Sequence, residues 1–435
     1  MSIQPTNVMA CFTRLPNEIL ENIFKYLDLK NHVTLSLVCS RWNNILMSER
    51  YLKKHVVLHI EGGRVMDAKL IFRRKYDALS LKLDNQNANK MMKNLKLVDN
   101  MCPYPLYLRI ENLSTDKRFG WMFEEIFFSH ENLEELHIVG TCKTEKGKLC
   151  VSFGNLKKLK IEAFYADCFR LYAPKLNEFH LLICSQNDLD LLAQFCEQLR
   201  KLTAVFSTRD LYYFYNMDFP KLTELTIERV LKGMTRSEQD ISIAFFEKLS
   251  HLTKLHLTVK FIDSYVMQMI SCSIPNLKEL KLEVSEGTIE LSNISKLKSL
   301  EKLMVAAEKI NLLDAYFPKL VRLELGTVKY GFGTYVNWFE RLMLLDNMGT
   351  LALNNVKFYP EVLRLTPSYS LERLYITNYK RLEENHLLIL MKRFPAIRWL
   401  KISHCAGFTK HEVEKLKYLN PHISVAFDDV SIGRL

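Results

Sequence analysis

From residue 133 onward one hydrophobic phrase keeps returning: NLEELHI, NLKKLKI, KLNEFHL, QLRKLTA, KLTELTI, HLTKLHL, NLKELKL, SLEKLMV, KLVRLEL, GTLALNN, SLERLYI and AIRWLKI. Each is a version of L-x-x-L-x-L, and successive first anchors, from Leu133 to Ile397, lie 20 to 30 residues apart. The alternation at the end of the phrase predicts a short strand whose leucines point one way and whose intervening residues point the other. A single strand of this kind cannot bury its leucines, so the pattern predicts stacked units that share one continuous core. Weaker copies precede the series, HVVLHI from His55, ALSLKL from Ala78 and PLYLRI from Pro105, and HISVAF at 422–427 reads as a closing strand. The longer steps contain amphipathic runs predicted as helices behind the strands: NDLDLLAQFCEQL, SYVMQMISCSIPNL and ENHLLILMKRFPAI. A shorter step such as EAFYADCFRLYAPKL leaves room for a turn or a brief irregular helix.

Ahead of the repeats, LPNEILENIFKYL (15–27) reads as a helix with too much apolar surface. Leu15, Ile19, Ile23 and Tyr26 form one stripe, and Leu20, Phe24 and Leu27 form another beside it. One stripe suffices to dock a helix on its own core. Pro16 suits a helix start, where its missing N–H costs nothing. Asn31 is placed to cap a second helix, HVTLSLVCSRW, again apolar on more than one side. A module of about 40 residues buries only a small core, so its surplus apolar side chains need a partner or the adjoining repeats.

These patterns resemble two families. Residues 55–430 resemble leucine-rich-repeat solenoids, and ISHCAGFTKHEV is similar to the cysteine-containing subclass, with Cys184 and Cys405 where such repeats place Asn or Cys. Residues 12–52, FTRLPNEILENIFKYLDLKNHVTLSLVCSRWNNILMSERYL, resemble an F-box, through Leu15-Pro16, Glu18-Ile19-Leu20, Ile23-Phe24, Tyr26-Leu27, Leu35, Val38-Cys39, Arg41 and Trp42. Leu52 departs from the tryptophan that many members carry there. The resemblance implies an α/β chain: a disordered N-terminus at 1–11, a small all-α F-box at 12–52, a leucine-rich-repeat solenoid with a parallel concave sheet at 53–430 and a tail at 431–435. It also implies docking on a Skp-type adaptor through Leu15, Pro16, Ile19, Leu20, Ile23, Phe24, Leu27, Leu35, Val38, Cys39 and Trp42, with Leu20 and Phe24 foremost. Cullin and RING subunits, reached through that adaptor, would bring the catalysis. The chain itself would be a non-catalytic receptor for a protein substrate in an SCF-type ubiquitin ligase. With almost no spacer between F-box and first repeat, the joint is expected to be rigid.

Specificity is expected on the concave face, where the middle residue of each L-x-L points. That column reads His59, Lys82, Arg109, His137, Lys160, His180, Thr203, Thr226, His256 and Lys281, then Met304, Glu324, Ala352, Tyr375 and Lys401. A strip this cationic could receive an acidic or phosphorylated segment. Acids two residues further on, among them Glu61, Glu111, Glu162, Glu228 and Glu283, favour a ladder of exposed ion pairs instead. The histidines, taken as exposed, need no special role. Tyr107, Tyr375 and Trp399 are candidate anchors, or aromatics packing on their neighbours.

Composition narrows the classes further. The 435 residues are 48% hydrophobic and 25% charged, with 14 Gly and 12 Pro, which fits neither a disordered nor a membrane chain. None of the ten cysteines forms C-x-x-C or joins a zinc-type cluster. They read as reduced and buried small hydrophobes, Cys39 and Cys196 included, in cytoplasm or nucleus. No cofactor or metal is expected. The glycines of YGFGTYV (330–336) read as a turn and RRK (73–75) as a solvated loop. The net charge of +11 is spread along the chain; it alone supports a second reading, a basic scaffold or nucleic-acid-associated protein acting outside a ligase.

Overall fold

The computed structural model describes residues 15–27, 29–48, 50–51, 53, 56–61, 76–83, 101–112, 131–140, 149–162, 169–207, 212–229, 236–327, 334–337, 348–356, 367–379, 382, 384–406 and 408–428. The expectations for 1–11, Leu52, RRK, the glycines of 330–333 and the tail 431–435 lie outside these residues. The chain divides into two compact units, Met1–Leu176 and Asn177–Leu435.

In the first unit three helices, α1 (Asn17–Phe24), α2 (Leu29–Ser36) and α3 (Ser40–Leu46), enclose Leu20, Phe24, Ile45, Leu46 and Tyr51. Phe24 meets Trp42 edge to face at 5.3 Å between ring centroids. His32 Nε2 lies 2.7 Å from the Phe24 carbonyl and 3.1 Å from the Tyr51 hydroxyl, linking α1, α2 and the segment that follows α3. The run HVTLSLVCSRW is not one helix. Asn31 lies inside α2, which ends at Ser36, and Cys39 adopts an extended conformation whose Sγ accepts the Trp42 N–H at the start of α3. A straight helix would set Leu35 and Leu46 about 16 Å apart along its axis. The break lets both reach the Leu20–Phe24 cluster. Arg41 on α3 then donates to the Asn17 side chain (2.7 and 2.9 Å) and to the Leu15 carbonyl, pinning the start of α1.

Val56 packs on this helical core, and the next residue begins the first repeat strand. Strands Val57–Glu61, Ala78–Leu83, Tyr107–Asn112, Glu135–Gly140 and Lys158–Glu162 run parallel in chain order. Their register stacks Leu58, Leu79, Leu108, Leu136 and Leu159 in one row and Ile60, Leu81, Ile110, Ile138 and Ile161 in the next. All but Leu58 are buried. This is the shared core that the period-2 pattern requires. Of the step after Glu162, residues 163–168 lie outside the described residues, and Phe169–Tyr172 forms a second parallel pair with Leu149–Ser152.

Among the described residues, the second unit repeats the design in eleven parallel strands, from Glu178–Ile183 to Ser424–Asp428, with a smaller three-stranded ribbon of Thr288–Glu290, Lys309–Asn311 and Tyr335–Asn337. Rows such as Leu202–Leu225–Leu255–Leu280–Leu303–Leu323–Leu351–Leu374–Leu400 run through it. The three amphipathic runs form helices at Gln186–Ala193, Ser264–Ser273 and Glu384–Arg393. Two more occur at Arg236–Glu247 and Lys410–Leu419. Phe214, Phe219 and Phe245 interlock behind the strands, with ring centroids 5.1–6.1 Å apart.

Three strands are followed at once by a left-handed residue, Asn355, Asn378 and His404 (φ 52°, 60° and 54°), a conformation that Asn and His tolerate better than most side chains. Cys405 Sγ, where the repeat subclass places its cysteine, reaches the carbonyls of Ser403 (3.3 Å) and Ile376 (3.8 Å) and so ties two successive repeats. The cysteines are not uniformly buried: Cys102, Cys196 and Cys405 are, whereas Cys39, Cys150 and Cys272 are exposed. Cys39 faces outward because its backbone forms the corner between two helices, not a helix face.

Candidate functional site

The two stripes of α1 resolve unequally. Leu20 and Phe24 are 0% and 2% exposed and fill the module's own core. Leu15, Leu27, Leu35 and Trp42 pack partly against the same core. The outward stripe is the other one: Ile19 and Ile23 stay 44% and 37% exposed, and Tyr26 lies beyond them. Leu37 and Val38, at the α2–α3 corner, are exposed as well, as are Pro16 and Cys39. Leu37 and Tyr26 escaped the list of sequence candidates. The corner position of Leu37 could be read only once the helix break was known.

On the open face of the strands, Lys82 does not stand in the row assigned to it. Ser80 aligns with His59 and Arg109, while Lys82 aligns with Glu61 and Glu111, two residues further along. In ALSLKL either leucine pair could be taken as the inward one, and the register chooses Leu79 and Leu81. Tyr107, half-buried, stands opposite Ala78 and Glu135. Arg109, His137 and Lys160 align as expected.

Their charges are met internally. Lys160 Nζ is 2.6 Å from Glu162, Arg109 is 3.5 Å from Glu111, and Lys82 is 4.0 Å from Glu61. His137, expected to be exposed, is buried; its Nε2 donates to Glu162 at 3.1 Å, and its Nδ1 faces Arg109 Nη1 at 3.5 Å. That pattern fits the neutral imidazole. Burial, reinforced by Arg109 and Lys160, pushes its pKa below the usual histidine value against the pull of Glu162.

The same arrangement recurs in the second unit. There His256 stands on one strand and Lys281 and Glu283 on the next. His256 at 3.7 Å, Lys281 at 2.8 Å and the Thr258 hydroxyl at 3.0 Å hold the Glu283 carboxyl down to about 2, outweighing its burial. These pairs favour the ion-pair ladder over a cationic strip held open for a ligand. His180 aligns with Thr203 and is half-buried. Beyond Lys281 the face becomes mixed: Tyr375 carries the Arg322 guanidinium over its ring at 5.7 Å, Lys401 aligns with Tyr375, and Trp399 lies 37% exposed on the same face. Among the described residues no cluster of three His, Cys, Asp or Glu could hold a metal ion, and no helix is long and apolar enough to cross a membrane.

Comparison with known families matches the F-box domain to residues 12–54, the span of α1 to α3 and the joint. The chain thus carries an F-box domain, followed by parallel strand repeats in the leucine-rich-repeat register. No curated protein matches this sequence. Among solved structures, an internalin of Listeria monocytogenes is similar over 78% of this chain and 83% of its own (14% identity, TM-score 0.35). A chain of a TLR13–ssRNA13 complex is similar over 76% of this chain and 48% of its own (13% identity, TM-score 0.46). A chain of the yeast Rad7 and Elc1 complex covers 100% of this one and 99% of its own (12% identity, TM-score 0.40). The repeat assignment rests on the strand register, not on these likenesses.

Proposed function

We propose that this protein is a substrate-recognition subunit of an SCF-type ubiquitin ligase. Its F-box docks a Skp-type adaptor, the open face of its repeats binds a protein substrate, and the chain itself contributes no catalytic group. The observation that carries this reading is that Ile19, Ile23, Leu37 and Val38 are left exposed on a module whose own core is already filled by Leu20 and Phe24. Exposed apolar side chains gathered on one small module mark a docking surface. The short, packed joint at Val56 suits a receptor that must hold a substrate in fixed orientation, because proximity raises the effective concentration of its lysines at the ubiquitin-loaded enzyme. Capture of purified Skp-type adaptor by the full chain tests the proposal. Ile23→Asp with Val38→Asp should abolish capture without lowering the melting temperature, and undiminished capture would refute it. Nucleic-acid binding that falls steeply with salt, without adaptor capture, would instead support the scaffold reading.

A further inference from the structure

A cleft of about 420 Å³ opens on the strand face of the second unit, across the strands from Glu279–Val284 to Arg373–Thr377. This is within the range of about 300–1,000 Å³ typical of ligand sites. It exists because small residues meet on neighbouring strands. Ala306 and Gly326 align in one row and Ala352 stands in the other, where longer side chains cover the face elsewhere. A Cβ on Gly326 would lie 3.0 Å from Asn354 Cβ, so glycine is what lets Asn354 lean inward. Met304 and Ala352 give an apolar floor, and Tyr375 forms the wall.

The ionised groups at the cleft are already satisfied. Arg322 Nε donates to Glu324 at 2.6 Å while stacking on Tyr375, and Glu283 is held by Lys281 and Thr258. An incoming anion would meet Glu283 and Glu324, and an incoming cation would have to displace Arg322 or Lys281. At the far end Asn378 Nδ2 donates to Asn354 Oδ1 at 2.8 Å, a bond that does not use the Asn354 amide N–H₂ or the Asn378 amide carbonyl, both on residues lining the cleft. A donor and an acceptor side by side match the N–H and C=O of a peptide unit.

We infer that this cleft is the specificity pocket of the repeat face. It takes an extended segment of the bound protein, with an uncharged apolar side chain over Met304 and Ala352 and a backbone amide against Asn354 and Asn378. The assignment rests on the receptor reading above and names the class of segment recognised. It replaces an acidic or phosphorylated determinant with a neutral one.

The test is selection of phage-displayed random peptides on the immobilised full chain, with synthetic phosphoserine peptides as a parallel probe. The expected outcome is enrichment of peptides with a central apolar residue and uncharged flanks. Ala352→Glu and Tyr375→Ala should each weaken their binding about tenfold or more, as loss of an anchoring contact does, at unchanged melting temperature. Enrichment of acidic or basic peptides, phosphopeptide binding that depends on Arg109, indifference to both substitutions, or no enrichment at all would overturn the assignment. Adaptor capture measured on the same preparation separates the two proposals: its loss refutes the receptor reading, whereas peptide failure with capture intact refutes only the cleft.

Discussion

Leu37 and Leu20 lie in the same F-box and should fail in opposite ways. Leu37 is 82% exposed at the α2–α3 corner, and Leu20 is 0% exposed in the core. Burying a leucine fully is worth roughly 1.5–3 kcal/mol, so covering the remaining surface of Leu37 with an adaptor should contribute about 1–2.5 kcal/mol, or roughly five- to seventyfold in Kd. Leu37→Ala should therefore weaken adaptor binding by that factor while shifting stability by no more than about 0.5 kcal/mol. Leu20→Ala removes the same atoms from a closed core and should cost about 2–5 kcal/mol of stability. Its effect on affinity should appear only through the unfolded fraction. Calorimetric titration of each variant with purified adaptor, paired with thermal unfolding, reads both quantities. If Leu37→Ala leaves Kd within about twofold, and Leu20→Ala weakens binding without lowering the melting temperature, the inward and outward stripes have been assigned the wrong way round.

Acid should weaken the second unit through Glu283. Its carboxyl sits near 2 in the fold against 4.5 ordinarily, so its stabilisation is full above the higher value and fades as pH falls toward the lower. Glu283→Gln should cost about 2–3 kcal/mol at neutral pH and little near pH 2, read from urea unfolding at several pH values; a pH-independent difference would exclude the mechanism. His137 works in the same protonation sense, closer to neutrality. Its depressed pKa means that the unfolded chain binds a proton more readily, so stability should drop as pH falls through about 6.5, and His137→Gln should flatten that slope. A long Gly/Ser spacer inserted after Lys54 should reduce substrate ubiquitination more than substrate binding; equal losses, or none, in reconstituted reactions would argue against a rigid joint.

The chain alone determined the repeat, because alternation along a strand states which residues face inward wherever that strand is placed. Leu136 and Ile138, or Leu280 and Leu282, needed no neighbour to be recognised as core. The F-box was legible through the order and spacing of its apolar positions. Adjacency decided the rest. Both stripes of α1 were apolar, and only contact with Ile45, Leu46 and Tyr51 selected Leu20 and Phe24 as the inner one. Lys82 moved by two residues because an alternating phrase with leucines at three positions fits its neighbours in more than one register. His137 became buried, and the cationic column neutral, once residues some 25 apart in sequence came side by side across parallel strands, where strand spacing is about 4.8 Å. The cleft was the least visible of all. Ala306, Gly326 and Ala352 are unremarkable singly, and together they form a hollow only because the register stacks them on successive strands.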